Sequence, residues 1–120
     1  MLFRSPVQKI RSNKPGANPD ETHRFLSGEA AIAKMKVHSG MQVNLFATEE
    51  QFPELVNPVQ MAWDTRGRLW IAAWPNYPER TPDSPKGDSL LVFEDTDGDG
   101  RADKMTPFVD NLNGPTGFQF

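Results

Sequence analysis

A chain of 120 residues with 37% hydrophobic and 24% charged residues has the composition of a soluble globular domain rather than of a fibrous protein. A net charge of −3 without a basic run gives no electrostatic footprint for nucleic acid, and the longest apolar run is too short for membrane insertion. The absence of cysteine excludes disulfides, thiolate metal sites and thiol catalysis within these residues.

The first predicted elements are a leader, a short helix and a strand. Residues 1–24 are polar and contain three prolines, so we expect a flexible leader before a domain over residues 25–120. The leader has no apolar core of the length that a signal peptide needs. The run SGEAAIAKMK, with Ser27 as the cap and Glu29 in the first turn, predicts a short helix. The run QVNLFA after Gly40 is β-prone and predicts a strand.

The middle of the chain carries the pattern of an antiparallel sheet. VQMAW alternates, DTRGR is typical of a turn, and LWIAAW is apolar throughout, like a strand that is buried on both faces. A proline-rich loop over residues 75–88 leads to SLLVFE, a second turn and then KMTPFVD. Pro107 cannot donate a ladder hydrogen bond, so we expect this last strand at a sheet edge.

The second turn carries the strongest chemical signal. Residues 95–103 read DTDGDGRAD, and an EF-hand-type calcium loop supplies oxygen ligands from positions 1, 3, 5, 7 and 9 around a glycine at position 6. The predicted Ca²⁺ ligands are Asp95, Asp97, Asp99, the carbonyl of Arg101, and Asp103. Position 12 is Thr106 instead of glutamate, and the flanking segments are strand-like, which favours a calcium-binding β-hairpin over an EF-hand.

A turn without metal is the alternative. Aspartate and glycine are ordinary turn residues, because aspartate caps its own backbone and glycine accepts a positive φ. Four carboxylates at this spacing would, however, repel one another without a cation. The sequence therefore favours calcium and leaves a metal-free turn open.

The strand pattern predicts an all-β fold. Four consecutive antiparallel strands with an edge strand last are typical of one β-propeller blade. The final run NGPTGFQF is expected to be the innermost strand of a second blade. Because blades bury their faces against neighbours, one complete blade indicates a fragment that needs the remaining blades as partners. A free-standing four-stranded β-meander with a helix is the alternative.

In such a blade the turns alternate between two ends of the sheet. Residues 64–68 and 95–103 would share one end, which makes the calcium structural. Residues 75–88 and 111–115 would share the other end, where propellers usually bind ligands. Arg80 is suited to a carboxylate or phosphate and Tyr77 to stacking on a sugar ring, although loop anchoring is the plainer role. The candidates for substrate contact are Asn76, Tyr77, Arg80, Asn113 and Thr116.

Residues from about 26 to the end resemble the opening of the propeller domain in bacterial membrane-bound dehydrogenases. These are relatives of the soluble glucose and sorbosone dehydrogenases that use pyrroloquinoline quinone (PQQ). The stretches that carry the resemblance are LSGEAAIAKMKVHSGMQVNLFAT, NPVQMAWDTRGRLWIAAW, LLVFEDTDGDGRADKMTPFVD and NGPTGF.

The resemblance implies a six-bladed propeller in the periplasm or outside the cell that oxidises sugars or related alcohols. It also implies PQQ as cofactor and, in many members, a C-terminal domain with haem c. The soluble glucose dehydrogenases hold the quinone partly through a glutamine beside an NG turn, and Leu112 stands at the corresponding place here. The family's catalytic histidine and arginines lie in later blades, so no catalytic residue is expected in this chain. A non-catalytic propeller or β-meander that binds glycans or proteins is the alternative function.

Overall fold

The computed structural model describes residues 26–76, 81, 83 and 87–120. The predicted leader therefore lies outside the described residues. The elements are α1 (Gly28–Ile32), β1 (Pro58–Trp63), β2 (Leu69–Ala73), β3 (Asp88–Glu94) and β4 (Lys104–Leu112). The strands form one antiparallel sheet in the order β1-β2-β3-β4, which confirms the predicted mostly-β fold.

The helix α1 begins where the sequence predicts it. The side-chain oxygen of Ser27 accepts a hydrogen bond from the N–H of Ala30 at 3.3 Å, and Glu29 lies in the first turn. The helix has only five residues, so it is shorter than the run from which it was predicted. A helix of this length depends on its cap and its neighbours, because isolated short helices are marginal in water.

The sheet has β2 and β3 at its centre and β1 and β4 at its edges. Four of the five residues of β2 are buried, as expected for a strand that is apolar on both faces. Pro107 lies in β4 opposite Leu91, and the register shifts nearby in the β3–β4 ladder. The edge position predicted from this proline is confirmed.

One face of the sheet packs against residues 44–55, which we call the strap. The buried cluster joins strap side chains such as Phe52 and Leu55 to Leu69, Ile71 and Phe93 of the central strands. The rings of Phe52 and Phe93 meet edge to face with centroids 5.2 Å apart. The strap thus covers one face of the central strands and completes the hydrophobic core without adding a strand.

The strand predicted from QVNLFA, residues 42–47, is wrong. These residues form no strand, although their propensity favours one. The Phe46 carbonyl accepts a hydrogen bond from the N–H of Ala102 at 2.7 Å, so the backbone meets the β3–β4 turn instead of a sheet edge. Available partners, rather than intrinsic propensity, decide whether such a run becomes a strand.

The strand predicted from NGPTGFQF, residues 113–120, is also wrong. The side-chain amide of Gln60 takes the place of a strand partner: its oxygen accepts from the N–H of Phe118 at 2.6 Å, and its nitrogen donates to the Phe118 carbonyl at 3.0 Å. The ring of Trp70 lies 6.4 Å from that of Phe118 and 5.2 Å from that of Phe120. This segment therefore packs on the sheet through side chains.

The two edges of the sheet differ in chemistry. The β1 sequence, PVQMAW, has no charged residue, and Met61 and Trp63 are 58% and 56% exposed. The β4 sequence, KMTPFVDNL, carries Lys104, Pro107 and Asp110. Charges, proline and irregular register protect an edge strand from further pairing. β4 has all three features, whereas β1 has a proline and a register shift only at its start, between Pro58 and Gln60, and no charge.

Candidate metal-binding turn

The turn between β3 and β4, residues 95–103, folds around the carboxylate of Asp95. One oxygen of Asp95 accepts from the N–H of Gly98 at 2.7 Å, and the other accepts from the N–H of Gly100 at 2.9 Å. Both glycines have positive φ values, 78° and 88°. Glycine adopts this conformation without steric cost, so the glycines allow the turn to close over Asp95.

Three carboxylates meet in this turn. Asp95, Asp97 and Asp99 each offer an oxygen, and the three oxygens lie within 4.8 Å of one another. Asp95 is half-buried, whereas Asp97 and Asp99 are exposed. Each carboxylate oxygen that accepts one N–H keeps a second lone pair. The group therefore fits a hard cation such as calcium, which prefers oxygen ligands.

Hydrogen bonds keep Asp95 ionised. The N–H of Gly100 is the main cause that lowers the pKa of Asp95; desolvation opposes it, and the N–H of Gly98 adds to it. A carboxylate that accepts backbone N–H groups favours its charged form. The turn thus presents negative charge at neutral pH.

The two remaining predicted ligands have other contacts. The carboxylate of Asp103 accepts from the hydroxyl of Thr96 at 2.6 Å and from its N–H at 3.2 Å. The guanidinium of Arg101 donates to Glu29 of α1 at 2.6 Å, which leaves only its carbonyl for the proposed role. Asp103 is not among the three clustered carboxylates, so its ligand role and that of the Arg101 carbonyl stay predictions.

The β1–β2 turn, residues 64–68, lies at the same end of the sheet, as the strand order requires. The carboxylate of Asp64 accepts four N–H groups. One oxygen binds the backbone N–H of Arg66 and of Arg68, at 2.9 and 3.0 Å. The other binds the Arg68 guanidinium at 2.7 Å and the Trp70 indole at 3.0 Å. Its hydrogen-bonding capacity is filled by its own turn and by Trp70 of β2, so this site differs from the metal-binding candidate.

We predict that Asp64→Asn destabilises the protein most at neutral pH. Desolvation raises the pKa of Asp64, but the hydrogen bonds from Arg68, Trp70 and Arg66 together hold it well below its ordinary value of 3.8. A depressed carboxyl pKa adds stability above the unfolded pKa, and this stability is lost as the pH falls below that value. The asparagine would also place an NH₂ group opposite N–H donors, and this group cannot accept their hydrogen bonds.

Urea unfolding between pH 7 and pH 2.5 measures this effect. The difference in the free energy of unfolding between wild type and Asp64→Asn should narrow as the pH falls. The control is Asp110→Asn, which removes an exposed β4 carboxylate without touching the turn. A gap that is constant with pH would contradict the electrostatic role of Asp64.

The opposite end of the sheet holds the predicted substrate contacts. Asn76 is half-buried, and Asn113 and Thr116 are exposed. Tyr77 and Arg80 lie outside the described residues. The Trp74 indole donates to the Pro115 carbonyl at 3.0 Å, so the loop that follows β2 contacts the segment that follows β4. The described candidates thus share one end of the sheet.

Asp88 is a residue of this end that the sequence reasoning treated only as loop. Its side chain is buried, with 4% of the residue exposed, and its carboxylate accepts from the N–H of Gly114 at 2.7 Å. Asp88 therefore ties the start of β3 to the segment after β4. No local signal marks this role, because aspartate is depleted in strands and its partner Gly114 lies 26 residues further along the chain.

A domain family matches most of the chain. The family described as "Domain of unknown function (DUF7133)" matches residues 27–120. No curated protein and no solved structure matches the sequence. No helix in the described part of the chain has the length and apolar character needed to span a bilayer. Because the match covers well over half of the sequence, the chain belongs to the DUF7133 family.

Proposed function

We propose that the chain is one calcium-stabilised blade of an exported β-propeller that resembles the glucose and sorbosone dehydrogenases. The observation that carries this proposal is the turn with three carboxylates between the last two strands of a four-stranded meander. Four antiparallel strands in sequential order are the unit from which propellers are built. A bound cation would offset the repulsion in the turn and hold β3 and β4 in register.

The exposed edge of the sheet supports the propeller part of the proposal. Val59, Met61 and Trp63 of β1 are between 42% and 58% exposed. Grouped apolar side chains at a surface mark contacts with other protein segments. Blades of a propeller pack against one another, so further blades are the proposed partners.

We predict that Asp95→Ala and Asp99→Ala abolish a calcium-dependent rise in melting temperature. Each substitution removes one carboxylate from the proposed ligand set, whereas asparagine would keep an oxygen that calcium accepts. At a calcium concentration 100 times the Kd, binding to the folded state alone adds about 2.7 kcal/mol of stability. Thermal unfolding of wild type and variants, with calcium and with chelator, measures the difference.

Arg101→Gln is the control in this experiment. Only the carbonyl of Arg101 is proposed as a ligand, and its guanidinium contacts Glu29. The variant should therefore keep the calcium response. An equal loss of response in all three variants would contradict the ligand assignment, and no response in wild type would contradict the calcium site.

The proposed activity of the complete protein is the oxidation of a sugar or related alcohol. Leu112 ends β4 and has no side-chain group that could hold a quinone, so we assign no PQQ contact and no redox step to it. Haem c attachment through cysteines is likewise excluded within this sequence, which has none. The contribution of the described residues would be to orient substrate through Asn76, Asn113 and Thr116.

A dye-linked sugar oxidation assay on the full-length natural protein, with and without added quinone, tests the activity. Turnover that depends on quinone would support a dehydrogenase. Calcium stabilisation without turnover on any sugar would instead favour a propeller that binds glycans or proteins.

A further inference from the structure

The turn of residues 95–103, which we call the acidic turn, meets the strap at Ala102. Its side chain is 1% exposed and belongs to the core cluster, although its neighbours Arg101 and Asp103 are exposed. Its N–H donates to the carbonyl of Phe46 at 2.7 Å, and its carbonyl accepts from the side-chain amide of Gln51 at 2.8 Å. Both backbone polar groups and the methyl group of Ala102 therefore have partners in the strap or in the core.

Other contacts extend this junction. A Cβ atom placed on Gly100 would lie 3.4 Å from the side-chain amide of Asn44, so the turn and the strap are in close contact there too. At its other end, the strap is anchored by the edge-to-face contact of Phe52 with Phe93. The strap makes few backbone hydrogen bonds of its own, and segments of this kind open more readily than the strands of a sheet.

We infer that the strap is a latch for the acidic turn: the two open and close together as one cooperative unit while β2 and β3 stay folded. The reason is that neither can move alone without breaking costly contacts. If the strap lifts, the N–H and the carbonyl of Ala102 lose their hydrogen-bond partners, and its methyl group becomes exposed. If the turn opens, the Phe46 carbonyl and the Gln51 side-chain amide lose their hydrogen bonds to Ala102. This inference concerns backbone opening, so it goes beyond the proposed function and does not depend on calcium.

Native-state amide hydrogen exchange in the presence of chelator tests the latch. The Gly100 amide, which donates to Asp95 within the turn, reports on the turn, and the Phe52 amide, which donates to Thr48 within the strap, reports on the strap. Gln51→Ala removes the hydrogen bond from the strap to the Ala102 carbonyl and replaces no residue of the acidic turn. Both amides should exchange faster by the same factor, about 2- to 13-fold for one hydrogen bond, while the amides of β2 and β3 keep their rates.

Gln119→Ala is the matched control. Gln119 is an exposed glutamine of residues 113–120, the segment that contacts Gln60 and Trp70, so the variant removes a glutamine side chain and keeps the bond between Gln51 and Ala102. Neither reporter amide should change in it.

The reciprocal variant is Gly98→Ala. Gly98 has a φ of 78° and no atom near its Cβ position, so alanine strains the turn without touching the strap. It should accelerate exchange at Phe52 as well as at Gly100. Acceleration of Phe52 alone in Gln51→Ala, or of Gly100 alone in Gly98→Ala, would overturn the inference, because the strap and the turn would then open independently.

Discussion

Replacing Phe93 with alanine is expected to cost about 3–5 kcal/mol of folding free energy, the range for large-to-small substitutions at fully buried aromatic positions. Phe93 is completely buried in the centre of the sheet and packs edge to face on Phe52 of the strap. A domain of this size has only about 5–15 kcal/mol of stability in total. The substitution should therefore move the urea midpoint strongly or prevent folding altogether.

The matched control is Phe108→Ala. Phe108 lies in β4 and is 65% exposed, although its ring contacts Trp70 with centroids 4.7 Å apart. Its removal leaves a gap that water can fill, so we expect a much smaller shift of the midpoint. Similar shifts for the two variants would mean that the core does not lie between the strap and the sheet.

Gly87→Ala should have the second largest effect, a loss of about 1–3 kcal/mol or more. A Cβ atom at residue 87 would lie 2.2 Å from the Cα atom and 2.6 Å from the carbonyl carbon of Asn111. These are backbone atoms, so a side-chain rotation cannot relieve the clash. Either β3 or the end of β4 must shift. Asp88, the residue after Gly87, would then lose the hydrogen bond that its carboxylate accepts from the Gly114 N–H.

The control for this variant is Gly40→Ala. Gly40 has a φ of 84° and no atom within 4 Å of its Cβ position, so alanine there tests backbone strain without a clash. Urea midpoints of both variants, together with the NMR shifts of Asn111 and Gly114, separate the two causes. A Gly87→Ala protein as stable as wild type would show that the two segments are not in close approach.

Local sequence patterns were sufficient to predict the four strands and their order. The alternation in VQMAW, the continuous apolar run in LWIAAW and the position of Pro107 each depend on near neighbours in the chain, and the structure confirms the two strands and the edge position. The large apolar residues of VQMAW are, however, the exposed ones. The helix cap at Ser27 likewise depends only on residues close to it in the chain.

The wrong predictions concern contacts between distant residues. Residues 42–47 have a strand-like composition, and residues 113–120 were expected to form a strand from the order of a propeller blade. Their backbone groups are bound instead by Ala102 and by the side chain of Gln60, which lie far away in sequence. The clustering of three aspartates followed from their spacing, whereas the contact between Asp103 and Thr96 depends on the path of the whole turn. No periodicity in the sequence encodes such contacts.

The two hydrogen bonds between the Gln60 side chain and the Phe118 backbone restrict which amino acids can replace Gln60. The two hydrogen bonds require one donor and one acceptor on neighbouring atoms of a single planar group, and the amides of glutamine and asparagine provide this pair without charge. Asparagine is one methylene shorter and would have to draw the two backbones together. Glutamate could accept but not donate, and lysine could donate but not accept. Substitutions of Gln60 are therefore expected to weaken the attachment of residues 113–120 to the sheet.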